Sequence, residues 1–386
     1  MLKKKMKPKV YFTSNVFSMN EIRKNTKIEE DVKLKIRSSW QTLNSIAITK
    51  FAEMRFPSSN YLLHAFNKFN PNIIGCHLSH PINQEMQKIP SLIAISTSTA
   101  GYNHIERLPE DNILITHTPG VLYETVADYT VALILANLRN LIDLHEYVWK
   151  GEWTSNDKWD LDQQLSSMIK NKSIGIIGLG EIGAEVLKLL HPWGIKLFYY
   201  DIRRREELEQ EYSNLEYINN LENIFKLSDI ITVHVPYNKS TKNFIDRNLL
   251  KLMKKDSLII NTARGGVLNL DDLLELIETG INEINFALDV YPTEPLNKQT
   301  LNRIKKIKEK RPQLRILLMP HNASSDANTR GNMVNLLLKD IIKLMKSRKI
   351  EDLEDINIIK EHKQVLFERD WKIINYWKNM ADMEND

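Results

Sequence analysis

The sequence has only one cysteine, Cys76, among its 386 residues. An intrachain disulfide is therefore impossible, which fits a reducing compartment, and we expect the protein to be cytoplasmic. Long apolar runs are also missing, because the longest, around 131–135, is far shorter than the ~20 residues that a helix needs to cross a bilayer. No apolar stretch follows the basic N-terminus, so we expect neither a signal peptide nor membrane association.

The chain also has no large excess of positive or negative residues. The formal net charge is +4, and the densest basic run, 3–5, lies at the extreme N-terminus. Such a run predicts a solvated tail rather than a nucleic-acid site. The ten histidines show no ligand-type spacing, so we expect no metal. With 42% hydrophobic and 26% charged residues, the composition is typical of a globular protein with room for two domains.

Short β-branched runs alternate with longer amphipathic segments over most of the chain. Near-continuous apolar strands separated by helical patterns predict parallel sheets that are covered by helices on both faces. One series lies at 10–13, 73–76, 92–95 and 113–116, and a second at 174–177, 197–200, 230–235, 258–261, 286–290 and 316–319. Two such series predict two α/β domains.

Between the two series, apolar residues recur at helical spacing over 121–141. They fall on more than one side of the predicted helix, so it must be buried against a large surface. An ordinary core helix and a subunit interface are both consistent with this pattern. In the tail from Glu361 onwards, aliphatic and tryptophan residues predict one more amphipathic helix.

The strongest single motif is a glycine-rich run at 173–183, with glycines at 178, 180 and 183. It follows a predicted strand, opens a predicted helix, and is followed by a strand that ends in Asp201, which is the full context of a dinucleotide site. Gly178 permits the tight turn, Gly180 lets the backbone approach a pyrophosphate at the helix N-terminus, and Gly183 allows close helix–strand packing. Asp201 is expected to bind the adenosine ribose hydroxyls and to repel a 2′-phosphate. The alternative is a purely structural glycine turn.

Three arginines, 203–205, follow Asp201 directly. They would bind the 2′-phosphate of NADP if they folded towards it. The other interpretation is a solvated loop that stacks on adenine, with Arg203 nearest the motif. The sequence therefore favours NAD and leaves NADP as the alternative.

Three ionisable residues follow the later strands of the second series: Arg264, Glu294 and His321. Ligands in open α/β sheets bind outside the carboxyl ends of the strands, so all three can converge on one site. Taken singly, each has an ordinary structural explanation, such as a turn or a surface position. Their occurrence in this order behind a nucleotide motif predicts a catalytic group.

Several segments together resemble the D-isomer-specific 2-hydroxyacid dehydrogenase family, in particular its glyoxylate/hydroxypyruvate reductase-like members. The segments are, in order, Ser-Thr-Ala-Gly-Tyr-Asn-His-Ile at 98–105, Thr-Pro-Gly-Val-Leu at 118–122, the glycine motif, His-Val-Pro at 234–236, Asn-Thr-Ala-Arg-Gly-Gly at 261–266, Ala-Leu-Asp-Val at 287–290 and Pro-His at 320–321. The resemblance is dense over residues 92–333, loose before them and slight beyond residue 350.

The resemblance implies an NAD-dependent hydride transfer at C2 of a small 2-oxo or 2-hydroxy acid. His321 is then the acid/base, a task suited to an imidazole, and Glu294 binds its other ring nitrogen. Arg264 holds the substrate carboxylate and polarises the carbonyl with its planar fork. The backbone amides of Ala100 and Gly101 bind the same carboxylate.

The resemblance also implies a set of cofactor contacts. Asp289 is expected to bind the nicotinamide carboxamide, and 234–236 and 262–263 to line the nicotinamide and its ribose. The full set is Gly178, Gly180, Glu181, Ile182, Gly183, Asp201, Arg203, His234, Val235, Pro236, Thr262, Ala263, Arg264, Asp289 and His321.

The implied architecture is two Rossmann-like α/β domains with parallel sheets. The substrate-binding domain is expected at 1–121 plus 322–386, with the NAD-binding domain, 122–321, inserted into it and the chemistry in the cleft between them. A homodimer through the nucleotide domain is also expected. Two segments depart from the family pattern: 297–315 is longer and more basic and is expected to loop out at the surface, and 20–66 is expanded, which leaves the substrate's identity open.

A regulatory protein is the alternative from a different class. Corepressor-like, NAD(H)-sensing proteins share this fold and the Arg/Glu/His set but act by recruiting partners, and the reductase-like members fit the sequence better. Turnover of 2-oxo acids discriminates the two, because a binding protein binds NADH without consuming it. Formate oxidation is disfavoured, because Glu294 stands where formate dehydrogenases carry an amide.

Overall fold

The structure, a computed structural model, describes residues 7–106, 112–156 and 161–385, with side chains up to residue 380. The chain divides into two compact units, Met1–Leu122 with Ser325–Asp386, and Tyr123–Ser324. The second unit is continuous in sequence, and along the chain it separates the two segments of the first unit. Each unit is built around one sheet.

The strands and helices alternate along both units. The strands are β1 (Lys9–Phe12), β2 (Ile48–Phe51), β3 (Ile73–Cys76), β4 (Ala94–Thr97), β5 (Leu114–Thr116), β6 (Ser173–Ile177), β7 (Lys196–Tyr200), β8 (Leu215–Tyr217), β9 (Ile230–Val233), β10 (Leu258–Asn261), β11 (Asn285–Leu288) and β12 (Ile316–Leu318). The helices are α1 (Met19–Lys24), α2 (Glu30–Ile46), α3 (Ser59–Phe69), α4 (Gln84–Gln87), α5 (Tyr123–Leu138), α6 (Leu141–Trp149), α7 (Glu181–Leu190), α8 (Glu206–Glu211), α9 (Leu221–Leu227), α10 (Arg247–Leu250), α11 (Leu270–Glu278), α12 (Lys298–Lys310), α13 (Ala327–Lys346), α14 (Lys360–Gln364) and α15 (Lys372–Asn385).

The first unit contains a five-stranded sheet with the order β2-β1-β3-β4-β5, and every neighbouring pair in it is parallel. Successive strand residues point to opposite faces of a sheet. Val10 and Phe12 therefore join the core that includes α2 and α13, whereas Tyr11 joins the core that includes α3. Helices cover both faces, and the carboxyl ends of the strands lie along one edge.

The second unit contains a seven-stranded parallel sheet with the order β12-β11-β10-β9-β6-β7-β8. Ile176 packs into the core beneath α5 and α7, and Ile177 into the core beneath α9, α10 and α11. The chain order reverses on the two sides of β6, which places a topological switch point at the end of that strand. The prediction of two α/β domains with parallel sheets is confirmed.

Two strands, β2 and β8, were not predicted. Both are edge strands, and β2 shows alternating exposed and half-buried residues instead of a continuous apolar run. A search for fully buried strands misses such segments, because an edge strand needs to bury only part of its surface.

The segment predicted as one helix over 121–141 is the core helix α5, which packs against α7 and buries Leu133 and Ile134. Asn140, with a left-handed φ of 50°, ends it and starts α6. In contrast to α5, none of the residues of α6 is buried.

The prediction that 297–315 loops out at the surface was wrong. Asn297 caps α12 by accepting the Thr300 N–H at 2.8 Å, and Ile304 and Ile307, three residues apart, lie in the core of the second unit. The basic residues that suggested a loop lie on the helix's other faces. Helical periodicity therefore outweighs charge in this insert.

The tail also differs from its prediction, because it contains two helices, α14 and α15, instead of one. Between them Trp371 is fully buried, and its indole N–H donates to the carbonyl oxygen of Leu366 at 2.9 Å. Trp377 of α15 joins the same core. Within the described ranges, no helix combines the length and the apolar character that crossing a membrane requires.

Candidate active site

The glycine motif forms a tight turn between β6 and α7. Gly178 has a φ of +91°, and its N–H donates to the carbonyl oxygen of Tyr200 at 2.8 Å. A Cβ on Gly183 would lie 2.0 Å from the carbonyl oxygen of Gly178, so only glycine allows the helix to approach the turn this closely.

The N-terminus of α7 is arranged as an anion site. Gly180 is the N-cap residue, a Cβ on it would meet nothing within 4 Å, and no side chain of the described residues caps the helix. The first-turn N–H groups, at Glu181 and Ile182, are orphaned by helix geometry and carry the positive end of the helix dipole. An open cradle of backbone donors is what a pyrophosphate requires.

Asp201 lies at the end of β7, next to this turn. Its Oδ2 accepts the Leu179 N–H at 2.7 Å, and its Oδ1 accepts the Arg203 N–H at 3.1 Å. These bonds hold the carboxylate beside the glycine turn, and each oxygen keeps a lone pair for a ribose hydroxyl.

The arginines after Asp201 are mostly engaged with acidic side chains. Arg204 makes a two-pronged bond to Glu209, with Nη2 2.7 Å from Oε2. Arg205 pairs with Glu207, and its Nη1 donates to the carbonyl oxygen of Leu179 at 2.8 Å. Arg203 is placed by its backbone bond to Asp201.

The predicted segment 234–236 lies beside the glycine turn. A Cβ on Gly178 would come within 3.0 Å of both Val235 and the carbonyl of His234. Nε2 of His234 lies 2.8 Å from Oγ1 of Thr232, while its Nδ1 is buried without a partner among the described residues. Burial lowers the pKa of His234 to about 3, so the ring is neutral. Pro236 follows, and its carbonyl oxygen accepts from Thr241.

The loop after β10 is held by a side chain that the sequence analysis did not single out. Asn261 accepts the Ala263 N–H at 3.0 Å through Oδ1 and donates to the carbonyl oxygen of Arg264 at 3.0 Å through Nδ2. The buried Thr262 hydroxyl lies 2.9 Å from that of Thr130 on α5. A polar residue that ends an otherwise apolar strand was the available signal.

His321 and Glu294 form a direct pair, with Nδ1 of the ring 2.6 Å from Oε2 of the carboxylate. Oε1 of the same carboxylate accepts the Tyr291 N–H at 3.0 Å. Burial raises the pKa of Glu294, but the bonds from His321 and Tyr291 and the positive charge of Arg264 together lower it below its usual value. The carboxylate is therefore ionised, Nδ1 carries a hydrogen, and Nε2 is the ring atom left to face a substrate.

Arg264 is the third member of this group. Burial lowers the pKa of its guanidinium, and the nearby charge of Glu294 opposes that effect. Its Nη1 donates to the carbonyl oxygen of Ala263 at 2.6 Å. A guanidinium stays protonated in proteins, so a fixed positive charge lies close to the carboxylate of the dyad.

The backbone of His321 is strained into the left-handed region, with a φ of 52°. Its N–H donates to the carbonyl oxygen of Asp289 at 2.8 Å. The two carboxylate oxygens of Asp289 accept the N–H groups of Asn322 at 2.7 Å and Ala323 at 2.9 Å. Asp289 is fully buried and holds the loop that carries His321, while its predicted contact with a carboxamide stays a prediction.

The other predicted substrate contacts, Ala100 and Gly101, belong to the first unit. They follow β4 at the carboxyl edge of the five-stranded sheet, and the Thr99 hydroxyl donates to the carbonyl oxygen of Gly101 at 2.7 Å. Neither of their own N–H groups bonds to any part of the chain that the structure describes. Two half-buried amides without a protein acceptor can bind a carboxylate.

Comparisons with known proteins bear on the same segments. The family model for the D-isomer specific 2-hydroxyacid dehydrogenase NAD-binding domain matches residues 131–323. A glyoxylate reductase of Thermofilum pendens is 34% identical over 309 residues, which cover 79% of this chain and 86% of the relative. A glyoxylate reductase of Thermococcus litoralis is 33% identical over 264 residues, or 68% of this chain and 76% of the relative.

Solved structures agree on the fold. A D-lactate dehydrogenase from Aquifex aeolicus, complexed with NAD and lactic acid, superposes with a TM-score of 0.69 at 25% identity and covers 91% of this chain and 98% of its own. An NADPH-dependent glyoxylate/hydroxypyruvate reductase from Sinorhizobium meliloti has a TM-score of 0.70 at 21% identity, over 92% of this chain and 98% of its own.

The sheet order, the glycine turn and the matched model define a nicotinamide-dinucleotide oxidoreductase. The chain belongs to the D-isomer-specific 2-hydroxyacid dehydrogenase family. Its residues fit the cofactor of that family, because Gly180 leaves an open cradle, the first turn of α7 is uncapped within the described chain, and the buried Nδ1 of His234 has no partner there.

Proposed function

We propose that this enzyme interconverts a small 2-oxo acid and its D-2-hydroxy acid, with residues 1–121 and 322–386 as the substrate-binding domain and 122–321 as the NAD-binding domain. The observation that carries the proposal is the His321–Glu294 pair at 2.6 Å beside the charge of Arg264. We further propose that it works in the cytoplasm, since its one cysteine forms no intrachain disulfide.

When bound at the glycine turn, NAD(H) would supply or take up the hydride, and the protein's own residues would bind the substrate and move the proton. In reduction, His321 gives the proton on Nε2 to the carbonyl oxygen, and in oxidation the same atom takes the hydroxyl proton. Glu294 holds Nδ1–H, which fixes the orientation of the ring and stabilises its protonated form. The loop anchored by Asp289 keeps His321 in place.

Arg264 has a separate task. Its planar fork binds the substrate carboxylate through two parallel hydrogen bonds, and its charge favours the negative charge that develops on the carbonyl oxygen. The N–H groups of Ala100 and Gly101, which have no acceptor within the described chain, are proposed to bind the same carboxylate. A 2-oxo acid carries the carboxylate that matches this planar cation, so it is the proposed substrate class.

Glyoxylate is the first substrate to test, because the relatives from Thermofilum pendens and Thermococcus litoralis are named glyoxylate reductases. The experiment follows NADH oxidation with glyoxylate, hydroxypyruvate, pyruvate and longer 2-oxo acids. We expect turnover, and a loss of about 10²–10⁴-fold in kcat for His321→Ala with NADH binding retained. His191→Ala, a histidine of the same unit outside the proposed site, is the matched control. NADH binding without turnover of any 2-oxo acid would show a binding protein instead.

NAD is the proposed cofactor in preference to NADP. Asp201 places a negative charge beside the expected ribose, and Glu209 and Glu207 already neutralise Arg204 and Arg205. Of the three arginines, only Arg203 then remains for a 2′-phosphate. We expect a higher kcat/KM with NADH than with NADPH, and a smaller difference in Asp201→Ala. A wild-type enzyme that prefers NADPH would contradict this assignment.

We propose that the protein is a homodimer through α6 of the nucleotide domain. No residue of α6 is buried, and Leu141, Val148 and Trp149 are 52%, 54% and 78% exposed. Lys308 of α12 fixes the helix through a 2.7 Å ion pair with Asp143. A fixed apolar helix facing solvent indicates an interface, and a second copy presents the same surface.

Light scattering after gel filtration tests the dimer. The wild type is expected at twice the mass of one chain, and Trp149→Glu with Val148→Glu at the mass of one. Ile281→Glu, which changes an equally exposed apolar residue of the same unit, is the control and should leave the dimer intact. A monomeric wild type would refute the interface.

A further inference from the structure

A histidine of the first unit holds the peptide that is proposed to bind the substrate carboxylate. Nδ1 of His117, which directly follows β5, lies 2.7 Å from the carbonyl oxygen of Ala100. A carbonyl oxygen can only accept, so Nδ1 carries the hydrogen and donates it. The tautomer of His117 is thereby fixed by its partner.

This bond acts on the neighbouring amide through the geometry of the peptide. The carbonyl of Ala100 and the N–H of Gly101 belong to one rigid plane and point in opposite directions. Fixing the carbonyl therefore fixes the direction of the N–H. The bond also polarises the peptide, which makes the Gly101 N–H a better donor.

The C-terminal segment 357–361 holds His117 in turn. The His117 N–H donates to the carbonyl oxygen of Asn357 at 2.9 Å, and Ile359 donates to the carbonyl oxygen of Ile115 at 3.0 Å. Thr116 and Ile358 form an antiparallel bridge. The segment is thus paired along the end of β5, and its backbone sets the position of the ring.

A second contact from the same segment reaches the loop after Gly101. The Tyr102 hydroxyl donates to Oε2 of Glu361 at 2.6 Å, and its ring meets that of His117 edge-on, with centroids 5.4 Å apart. The aromatic edge packs against the imidazole and limits its rotation. Glu361 thereby restrains Tyr102, the residue that directly follows this peptide.

We propose that His117 is a positioning residue for the substrate carboxylate, and that the C-terminal segment 357–361 supports the substrate site through it. This inference rests on the proposed function, because it assigns the Gly101 N–H to the carboxylate. His117 acts through the Ala100–Gly101 peptide and does not itself touch the reacting atoms.

The test compares substitutions that match different ring nitrogens. His117→Asn places an amide N–H where Nδ1 stands, His117→Gln places one near Nε2, and His117→Ala removes both. His64→Ala, an exposed histidine of the same unit, is the matched control. The probe is oxamate, added to the enzyme with NADH. Glycine-selective ¹⁵N labelling reports the Gly101 amide directly, since the sequence has only 13 glycines and Gly101→Ala assigns the peak.

The expected result has three parts. In His117→Ala the Gly101 peak moves before oxamate is added, the Kd for oxamate rises about 3–10-fold, and the KM for glyoxylate rises with it while kcat changes less than twofold. His117→Asn restores the wild-type values, and His117→Gln does not. The Kd for NADH stays constant in all variants, which excludes a general folding defect, and Tyr102→Phe gives a smaller rise in the same direction.

Three results would contradict the proposal, and they are distinguishable. If the wild type binds oxamate and His117→Ala binds it equally well, His117 has no positioning role although the proposed function stands. If oxamate moves no glycine peak of the wild type and 2-oxo acids are not reduced, the proposed function fails and the inference fails with it. Equal effects of the Asn and Gln variants would also contradict the assignment of Nδ1 as the donor.

Discussion

Glu294→Gln is the sharpest test of the acid–base pair, because it keeps the size of the side chain and removes one acceptor. The carboxylate serves two donors, His321 Nδ1–H through Oε2 and Tyr291 N–H through Oε1. Glutamine has one oxygen and one NH₂ group, so it can serve only one of them. If the NH₂ group of the glutamine faces the ring, it donates to Nδ1, and the neutral ring then carries its hydrogen on Nε2. In that tautomer Nε2 cannot accept a proton from a hydroxy acid.

The magnitude follows from the bond that is lost. A hydrogen bond to a charged group contributes about 1.5–3 kcal/mol, and the side chains of His321 and Glu294 are 25% and 33% exposed, which places this pair at the lower end. At about 1.4 kcal/mol per factor of ten, kcat should fall roughly 10–30-fold. The value of kcat should fall more for oxidation of the hydroxy acid than for reduction of the oxo acid.

The assay is kcat against pH in both directions, with Glu309→Gln on the exposed side of α12 as the control. Reduction requires a protonated ring, and the lost negative charge disfavours that form. The pH at which reduction falls to half its maximum should therefore move to a lower value in Glu294→Gln. An unchanged profile with kcat within twofold of the wild type would refute the reasoning and remove Glu294 from the mechanism.

Two further predictions concern other parts of the molecule. Arg264→Lys keeps the charge and loses the two-pronged geometry. The value of kcat/KM for the 2-oxo acid should therefore fall about 10–100-fold, while the Kd for NADH stays unchanged. A loss of NADH affinity instead would mean that Arg264 serves the cofactor. Burial raises the pKa of Asp340 from its ordinary 3.8 to about 6, although Asn357 donates to it. The folded protein therefore disfavours the ionised form of Asp340. The free energy of unfolding falls by at most about 3 kcal/mol as the pH rises through about 6. In urea unfolding, Asp340→Asn should gain about 1–3 kcal/mol at pH 8 and much less at pH 4, whereas an equal gain at both would refute the titration.

Local sequence was sufficient wherever one short segment contains its own physical cause. The β-branched runs predicted most strands to within about two residues, because burial on both faces of a parallel sheet demands a continuous apolar stretch. The glycine motif predicted the turn into α7, since a left-handed φ at Gly178 and the close approach at Gly183 depend on neighbours within a few positions. Family resemblance added the expected roles of Arg264, Glu294 and His321.

Local patterns failed where packing against distant residues decides the outcome. The strands β2 and β8 form because a sheet edge offers them backbone partners, although neither has a continuous apolar run. The basic insert forms α12 because Ile304 and Ile307 reach the core of the second unit. Charge alone predicted a surface loop there, since it describes what faces water and not what is buried.

Residue patterns alone predicted the class of fold and the nucleotide turn, because each is encoded by composition or by spacing within one element. The roles of the proposed site residues came from the family resemblance. Which atoms meet depends on the tertiary structure. It brings Nδ1 of His321 to Glu294 across 27 positions and seats the C-terminal segment against β5, where Asn357 holds His117. Such contacts join elements that are distant in sequence, and the hydrogen bonds that fix them depend on the direction of a single carbonyl or ring nitrogen, which no pattern of residue types specifies.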